Sequence, residues 1–186
     1  ATQSAGSSMA TSTDAYGTVV ETVQKTPATG SGQYRTLRTL LREATTETIE
    51  TLHASDGTVL ESTTTNAIER FVVRQDGSSE RVYYENGAVS MSVKTSAPHA
   101  STGVVTITTT HPDNTTSTRN MFPDGSETIV KTTMFGEILE SVEQSVPNPQ
   151  SGMVTRTITR ATEETQEITT EVLKEGDVLE STQIIT

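Results

Sequence analysis

Gly136-Glu137-Ile138-Leu139-Glu140-Ser141 is the stretch on which the reading of this chain turns, because it recurs. Gly17-Thr18-Val19-Val20-Glu21-Thr22, Gly57-Thr58-Val59-Leu60-Glu61-Ser62 and Gly176-Asp177-Val178-Leu179-Glu180-Ser181 repeat it, and Gly87-Ala88-Val89-Ser90-Met91-Ser92 is a looser copy. A second landmark, Pro followed five positions later by Gly, falls at Pro27/Gly32, Pro98/Gly103 and Pro147/Gly152. The landmarks keep one order. Aligned on them, the chain reads as three long units, 16–66, 86–133 and 135–186, with an extra short hairpin over 67–85. Such a chain repeats one supersecondary element, so its function is expected to lie in the array and not in a single cleft. The three Pro–Gly loops are expected to line up along one edge.

The chemistry between the landmarks is that of strands and tight turns. Asp56-Gly57, Asp76-Gly77, Asn86-Gly87, Asp124-Gly125 and Glu175-Gly176 punctuate segments of five to seven residues. Asn-Gly and Asp-Gly accept the positive φ values of type I′ turns, the strongest short-range hairpin signal. Between them apolar residues tend to alternate with hydroxyl or charged ones, as in Val154-Thr155-Arg156-Thr157-Ile158-Thr159-Arg160. Period two means one face weakly buried and the other solvated. Over 34–52 a helix competes, with Leu37, Leu40, Leu41 and Ile49 as its stripe, but the six threonines between Thr36 and Thr51 favour strand. The expected fold is therefore all-β: an antiparallel hairpin array of ten or more strands forming an extended or curved meander sheet, with a sandwich-like arrangement as the alternative. Residues 1–15, small and polar apart from Met9, read as a flexible arm ahead of the repeat domain 16–186.

Composition narrows the function classes. Apolar residues make up 31% of the 186, aromatics 4%, and there is no Trp. That is thin for a globular core, whereas Thr, about a fifth of the chain, is β-branched and favours strands. The net charge is −11, and the 13 basic residues are scattered, so a phosphate backbone is an unsuitable partner. No apolar run approaches the roughly 20 residues of a spanning helix, so membrane insertion is not expected. With no Cys, the chain has no disulfide scaffold, thiolate metal site or cysteine nucleophile. The start, Ala1-Thr2-Gln3-Ser4-Ala5-Gly6, has neither a basic nor an apolar leader region and reads as an end left by processing or cutting. With the Thr/Ser-rich composition this favours an extracellular or cell-surface location.

The run from Met121-Phe122-Pro123-Asp124-Gly125 through Thr133-Met134-Phe135-Gly136-Glu137-Ile138-Leu139-Glu140-Ser141 resembles the RHS, or YD-repeat, family. Asp56-Gly57, Asp76-Gly77 with Tyr83-Tyr84-Glu85-Asn86-Gly87, and Glu175-Gly176 extend the likeness of rhythm over most of 16–186. The resemblance implies antiparallel hairpins winding into a broad, curved sheet. It also implies a role as a toxin-encasing shell or an extracellular adhesive stalk.

Candidate site residues are few. His53, His99 and His111 are the only imidazoles, none at ligand spacing with a carboxylate, so no metal site or other cofactor is expected of them. No Gly-x-Ser-x-Gly elbow occurs, and no enzyme activity is expected. Asp113, Asn114 and Asp124 could supply oxygens to Ca²⁺, although turn-forming Asx residues explain them better. Glu163-Glu164 should point to opposite faces of a strand. Asn114-Thr115-Thr116 is a glycosylation sequon in an expected loop. The run Ser181-Thr182-Gln183-Ile184-Ile185-Thr186 reads as an unguarded strand, with Gln183, Ile184, Ile185 and Thr186 as its assembly edge. Together these features lead us to expect a non-enzymatic structural subunit of a filament, fibre or stalk that self-associates head to tail through strand edges. A surface module binding carbohydrate or protein, or a fragment of an RHS-type shell, is the alternative.

Overall fold

The computed structural model describes residues 6–28, 32–42, 45–162 and 164–186. Fifteen strands follow one another: β1 (Ser8–Thr13), β2 (Val19–Pro27), β3 (Tyr34–Arg42), β4 (Thr45–His53), β5 (Val59–Thr65), β6 (Glu69–Arg74), β7 (Ser79–Glu85), β8 (Ala88–Thr95), β9 (Val105–Thr110), β10 (Thr116–Met121), β11 (Glu127–Thr132), β12 (Ile138–Gln144), β13 (Met153–Ala161), β14 (Gln166–Lys174) and β15 (Asp177–Ile185). They form one antiparallel meander, each strand beside the next in sequence, and the sheet does not close. No helix occurs among the described residues; the 34–52 stretch forms β3 and β4. Each of the three expected units contains four strands, β2–β5, β8–β11 and β12–β15, and 67–85 contains the β6–β7 hairpin. Within the stretch expected as a flexible arm, Ser8–Thr13 is β1, paired residue by residue with β2 from Ser8↔Lys25 to Ser12↔Glu21. Backbone bonds hold it there, since all six of its side chains are exposed.

Two kinds of tight turn recur between the described strands. Asn86 (φ 51) and Gly87 (φ 79), like Glu175 (φ 53) and Gly176 (φ 94), are both left-handed, the two-residue type I′ arrangement expected from sequence. The Asp-Gly turns are built differently: only the glycine has positive φ, and the loop has three residues. In each, the glycine N–H donates to the carbonyl three residues back, Gly57 to Ala54, Gly77 to Arg74 and Gly125 to Phe122. The reason lies in the aspartate. Its Oδ1 accepts the N–H two residues on, from Thr58, Ser78 and Ser126 at 2.8–2.9 Å, which holds Asp itself in the right-handed region and leaves Gly the left-handed position of a type I turn with a bulge. Residues 14–17 and 133–136 repeat this turn without Asp before the Gly, and 111–114 repeats it with Asn114 (φ 61) in the glycine's place. The Pro–Gly loops also share one hydrogen bond. The N–H after the proline donates across the loop to the carbonyl after the glycine: Ala28 to Gln33, His99 to Val104 and Asn148 to Met153.

The recurring Gly-x-apolar-apolar-Glu motif is a bulge signature. Register slips by one residue at Thr13↔Val19, His53↔Val59, Thr132↔Ile138 and Leu173↔Val178, so that Val20, Leu60, Leu139 and Leu179 are the extra residues. An extra residue lets two consecutive apolar side chains interrupt the alternation, after which Glu21, Glu61, Glu140 and Glu180 resume the ladder.

The chain divides into two compact units, Ala1–Ser90 and Met91–Thr186. In the first, one face holds the cross-strand row Val23–Arg38–Ile49–Thr64–Phe71–Arg81, and the other holds a threonine row, Thr11–Thr22–Thr39–Thr48–Thr65. In the second, Ile107–Arg119–Ile129–Val142–Ile158–Thr169–Gln183 runs across one face and Thr106–Asn120–Thr128–Glu143–Thr157–Thr170–Thr182 across the other. Apolar rows this thin bury little. Among the described residues only Val72, 1% exposed, and Leu173, 4% exposed, are buried hydrophobics. Backbone ladders, cross-strand pairs and Arg–Glu contacts supply the rest. Arg38–Glu21, Arg74–Glu61, Arg119–Glu127 and Arg156–Glu171 are such contacts, and Arg160 bridges Glu140 and Glu167 on the strands to either side.

Candidate functional site

The outer side of β15 is the first candidate. All nine of its residues are exposed. Thr186 and Gln166 exchange both backbone hydrogen bonds, at 2.9 and 3.0 Å, which makes them a hydrogen-bonded pair. Because such pairs alternate along an antiparallel ladder, Ile184, Thr182 and Glu180 also bond inward to β14, while Ile185, Gln183 and Ser181 turn their N–H and C=O groups outward. The four edge residues expected from sequence therefore divide. Gln183 and Ile185 offer backbone groups to a partner; Ile184 and Thr186 do not. Ser181, absent from that expectation, joins the outward set. Ile184 and Ile185 are both more than half exposed, one on each face. The slip at Leu179 ends the regular edge on one side, leaving 181–185, which carries no charge.

A second candidate is a groove of about 460 Å³ beside the 98–103 loop, bordered by Ser96, His99, Thr102, Asn120 and Phe122. The loop sits tightly against the next turn: a Cβ on Gly103 would stand 2.8 Å from Cγ of Pro123, and one on Gly125 would stand 3.4 Å from Cδ of Pro147. Loops 98–103 and 147–152 thus lie on one edge of their unit, with turn 122–125 between them. Asn120 is held by its row, accepting from the Thr106 hydroxyl at 2.9 Å and donating to Thr128 Oγ1 at 3.2 Å. His99 Nδ1 lies 3.2 Å from the hydroxyls of Ser101 and Thr102.

The remaining sequence candidates are dispersed. His53 stacks on Tyr34, ring centroids 4.6 Å apart, with Lys25 Nζ 3.8 Å from the Tyr34 ring on the adjoining strand, while His99 and His111 sit in separate loops. Asp113 and Asn114 lie before β10 and Asp124 after it. The six-residue strand between them holds them roughly 20 Å apart, so they form no common cation site. Among the described residues no group of three or more His, Asp or Glu side chains is placed to hold a metal ion. Glu163 lies outside the described residues; Glu164 is exposed. Asn114 is exposed at its turn tip, and Thr116, the hydroxyl residue of the sequon, has its Oγ1 2.7 Å from that of Thr132.

The turn aspartates are the clearest electrostatic feature. At Asp56 the Thr58 N–H and then its hydroxyl hold the carboxyl below its ordinary range. At Asp76, Asp113 and Asp124 the hydroxyls of Ser78, Thr115 and Ser126 lead, with the same residues' N–H groups adding to the effect. These bonds favour the ionised form and fix turns, and the four carboxylates belong to four separate loops. Neither a family model nor a curated protein matches the chain.

Proposed function

We propose that this chain is a non-enzymatic structural β-repeat subunit of an extracellular or cell-surface assembly, such as a filament, fibre or stalk, joined through its strand edges. The observation that carries this reading is the chemistry of the edge strands. One residue in five of the chain is charged, yet β1 has no charged residue and β15 has none after Glu180. Edges that must stay single are ordinarily guarded by Lys, Pro or inward charges, because a row of free N–H and C=O groups is a template for another strand. The repeat supports the same reading, since a sheet with two buried hydrophobic side chains among its described residues gains stability by extension more than by folding onto itself. Deleting 181–186 tests it. By sedimentation and negative-stain microscopy the intact chain is expected to polymerise and the truncated one to remain soluble, unassembled and less stable. Filaments of normal length from the truncation, or a monomeric intact chain at every concentration, would sink the reading.

The groove beside the 98–103 loop favours a second reading, a module that binds neutral carbohydrate. Its lining includes an aromatic residue, Phe122, and the polar residues Asn120, Thr102 and His99. Titration calorimetry with neutral oligosaccharides tests it: binding that Phe122→Ala abolishes supports this reading, and no heat from any of them removes it.

A further inference from the structure

We propose that Asn86 is a site of spontaneous deamidation through a cyclic imide with Gly87, and that the fold confines this chemistry to that one asparagine. Asn86 (φ 51) and Gly87 (φ 79) are the two central residues of a type I′ turn, and both are exposed. The closing hydrogen bond of such a turn joins the residues on either side, so the Gly87 N–H stays outside it. Among the described residues nothing holds the Asn86 carboxamide by a hydrogen bond. The peptide between the two residues is therefore free to flip, which converts type I′ into type II′ and carries ψ of Asn86 from about +30° to about −120°. Gly87, without a side chain, accommodates either form. At that ψ its nitrogen lies beside Cγ of Asn86, the geometry of a five-membered ring.

The step needs only water. The Gly87 nitrogen gives up its proton and bonds to Cγ, the bond from Cγ to the carboxamide nitrogen breaks, and that nitrogen leaves with the proton as ammonia. Water then opens the imide. Breaking the new bond gives aspartate at 86, whereas breaking the original peptide bond gives isoaspartate, with the chain running through Cγ. Either product adds one negative charge. Isoaspartate also puts an extra carbon into a two-residue turn whose length sets the hairpin's register.

The sequence holds five asparagines and one Asn-Gly pair, and each of the other four asparagines is blocked in its own way. Asn66 Oδ1 holds the N–H groups of Ile68 and Glu69, at 3.0 and 2.9 Å. Asn114 is followed by β-branched Thr115, whose N–H donates to Asp113 Oδ1 at 3.0 Å. Asn120 is fixed in β10 between Thr106 and Thr128. Asn148 precedes Pro149, which has no N–H to lose, and its Oδ1 holds Gln150 and Ser151. Aspartate before glycine forms the same imide with loss of water. At those turns, however, Gly57, Gly77 and Gly125 each donate their N–H to a carbonyl at 3.0 Å, which pins the peptide that would have to flip.

Ageing the full chain in mildly alkaline buffer and mapping its peptides by mass spectrometry tests this. Asn86 is expected to convert at least about tenfold faster than Asn66, Asn114, Asn120 or Asn148, giving both aspartate and isoaspartate. Gly87→Ala, whose Cβ shields the nitrogen, should slow the conversion. Asn86→Gln supplies a second readout. It keeps the turn, because the equally long Glu175 (φ 53) already stands at that position of the other type I′ turn, and its longer side chain closes only a larger, slower-forming ring. The acidic species that ageing adds on isoelectric focusing should therefore be missing from it. In the urea-unfolded chain Asp56, Asp76 and Asp124 should also form isoaspartate, which the folded chain withholds. Conversion of Asn86 no faster than the other four, an acidic species that persists in Asn86→Gln, or isoaspartate at the Asp-Gly turns as fast folded as unfolded would overturn the proposal.

Discussion

At the Asp-Gly turns two adjacent residues share the work: aspartate closes the loop with its carboxylate and glycine takes the left-handed angle. Gly136 (φ +86) and Gly103 (φ +69) separate the two reasons for a glycine. At Gly136 a Cβ would meet nothing within 4 Å, so Gly136→Ala should cost only the left-handed strain of about 1–2 kcal/mol. Gly103→Ala should cost more, because its Cβ would also collide with the Pro123 ring 2.8 Å away, and urea unfolding of the two variants checks the order. The carboxylates predict a pH dependence. Hydrogen bonds lower the folded-state values of Asp56, Asp76, Asp113 and Asp124, so these groups bind fewer protons folded than unfolded. Their contribution is complete above the unfolded value of about 3.9 and is lost as pH falls through the lowered folded values. Replacing all four by Asn, which still forms the turn, should flatten the fall in urea midpoint between neutral pH and about pH 3.

At the scale of the element, the strands are held by their neighbours on either side and by little above or below. Among the described residues Val72 is the most buried large side chain, between Thr63 and Glu80 on the flanking strands, whereas Val178, opposite Leu173, is 48% exposed. Val72→Ala should cost about 1.5–2.5 kcal/mol, the transfer of two buried carbons plus a partly relaxed cavity. Val178→Ala should stay within about 0.5 kcal/mol. Equal losses by chemical denaturation would show that burial is not concentrated where the structure puts it. Elements were the most legible level in the sequence. Asp76-Gly77 and Asn86-Gly87 marked hairpin tips correctly, but the same dipeptide rule did not distinguish a three-residue loop from a two-residue one, because that depends on whether the Asp side chain or a second left-handed residue closes the turn. The bulges carried a signal that alternation alone passes over: the doublets Val19-Val20, Val59-Leu60, Ile138-Leu139 and Val178-Leu179 each break period two at the residue where register slips.

For the whole molecule, charge and edges act against each other. In the proposed assembly a net charge of −11 would oppose association, and uncharged β1 and residues 181–185 would be the segments that permit it. The Debye length shortens to about 3 Å at 1 M salt, so raising NaCl from about 0.05 M to 0.5 M screens the repulsion and should strengthen the proposed self-association, read as a rise in sedimentation coefficient at fixed protein concentration. Weaker association at the higher salt would mean that attraction between charges, and not strand pairing, drives it. β1 was the element the sequence concealed. Its residues Ser8-Met9-Ala10-Thr11-Ser12-Thr13 bury nothing, and what places them is a backbone ladder to β2, which leaves no trace in side-chain pattern.

The sequence by itself determined the strand order. In a meander each strand pairs with the next, so turn chemistry at Asp56-Gly57 or Glu175-Gly176, a local property, is enough to specify the neighbours. It also determined the repetition of the Pro–Gly loops, whose shared hydrogen bond follows from a proline and a left-handed glycine five residues apart. Only the tertiary structure decided register, and with it which groups face outward. Period two says that Gln183 and Ile184 lie on opposite faces, but not which of them bonds to β14, because that phase is set by the register of the strand pair beyond the slip at Leu179. The same limit governed Asp113 and Asp124: eleven residues apart in sequence, they are held at opposite ends of β10 because the strand between them is extended.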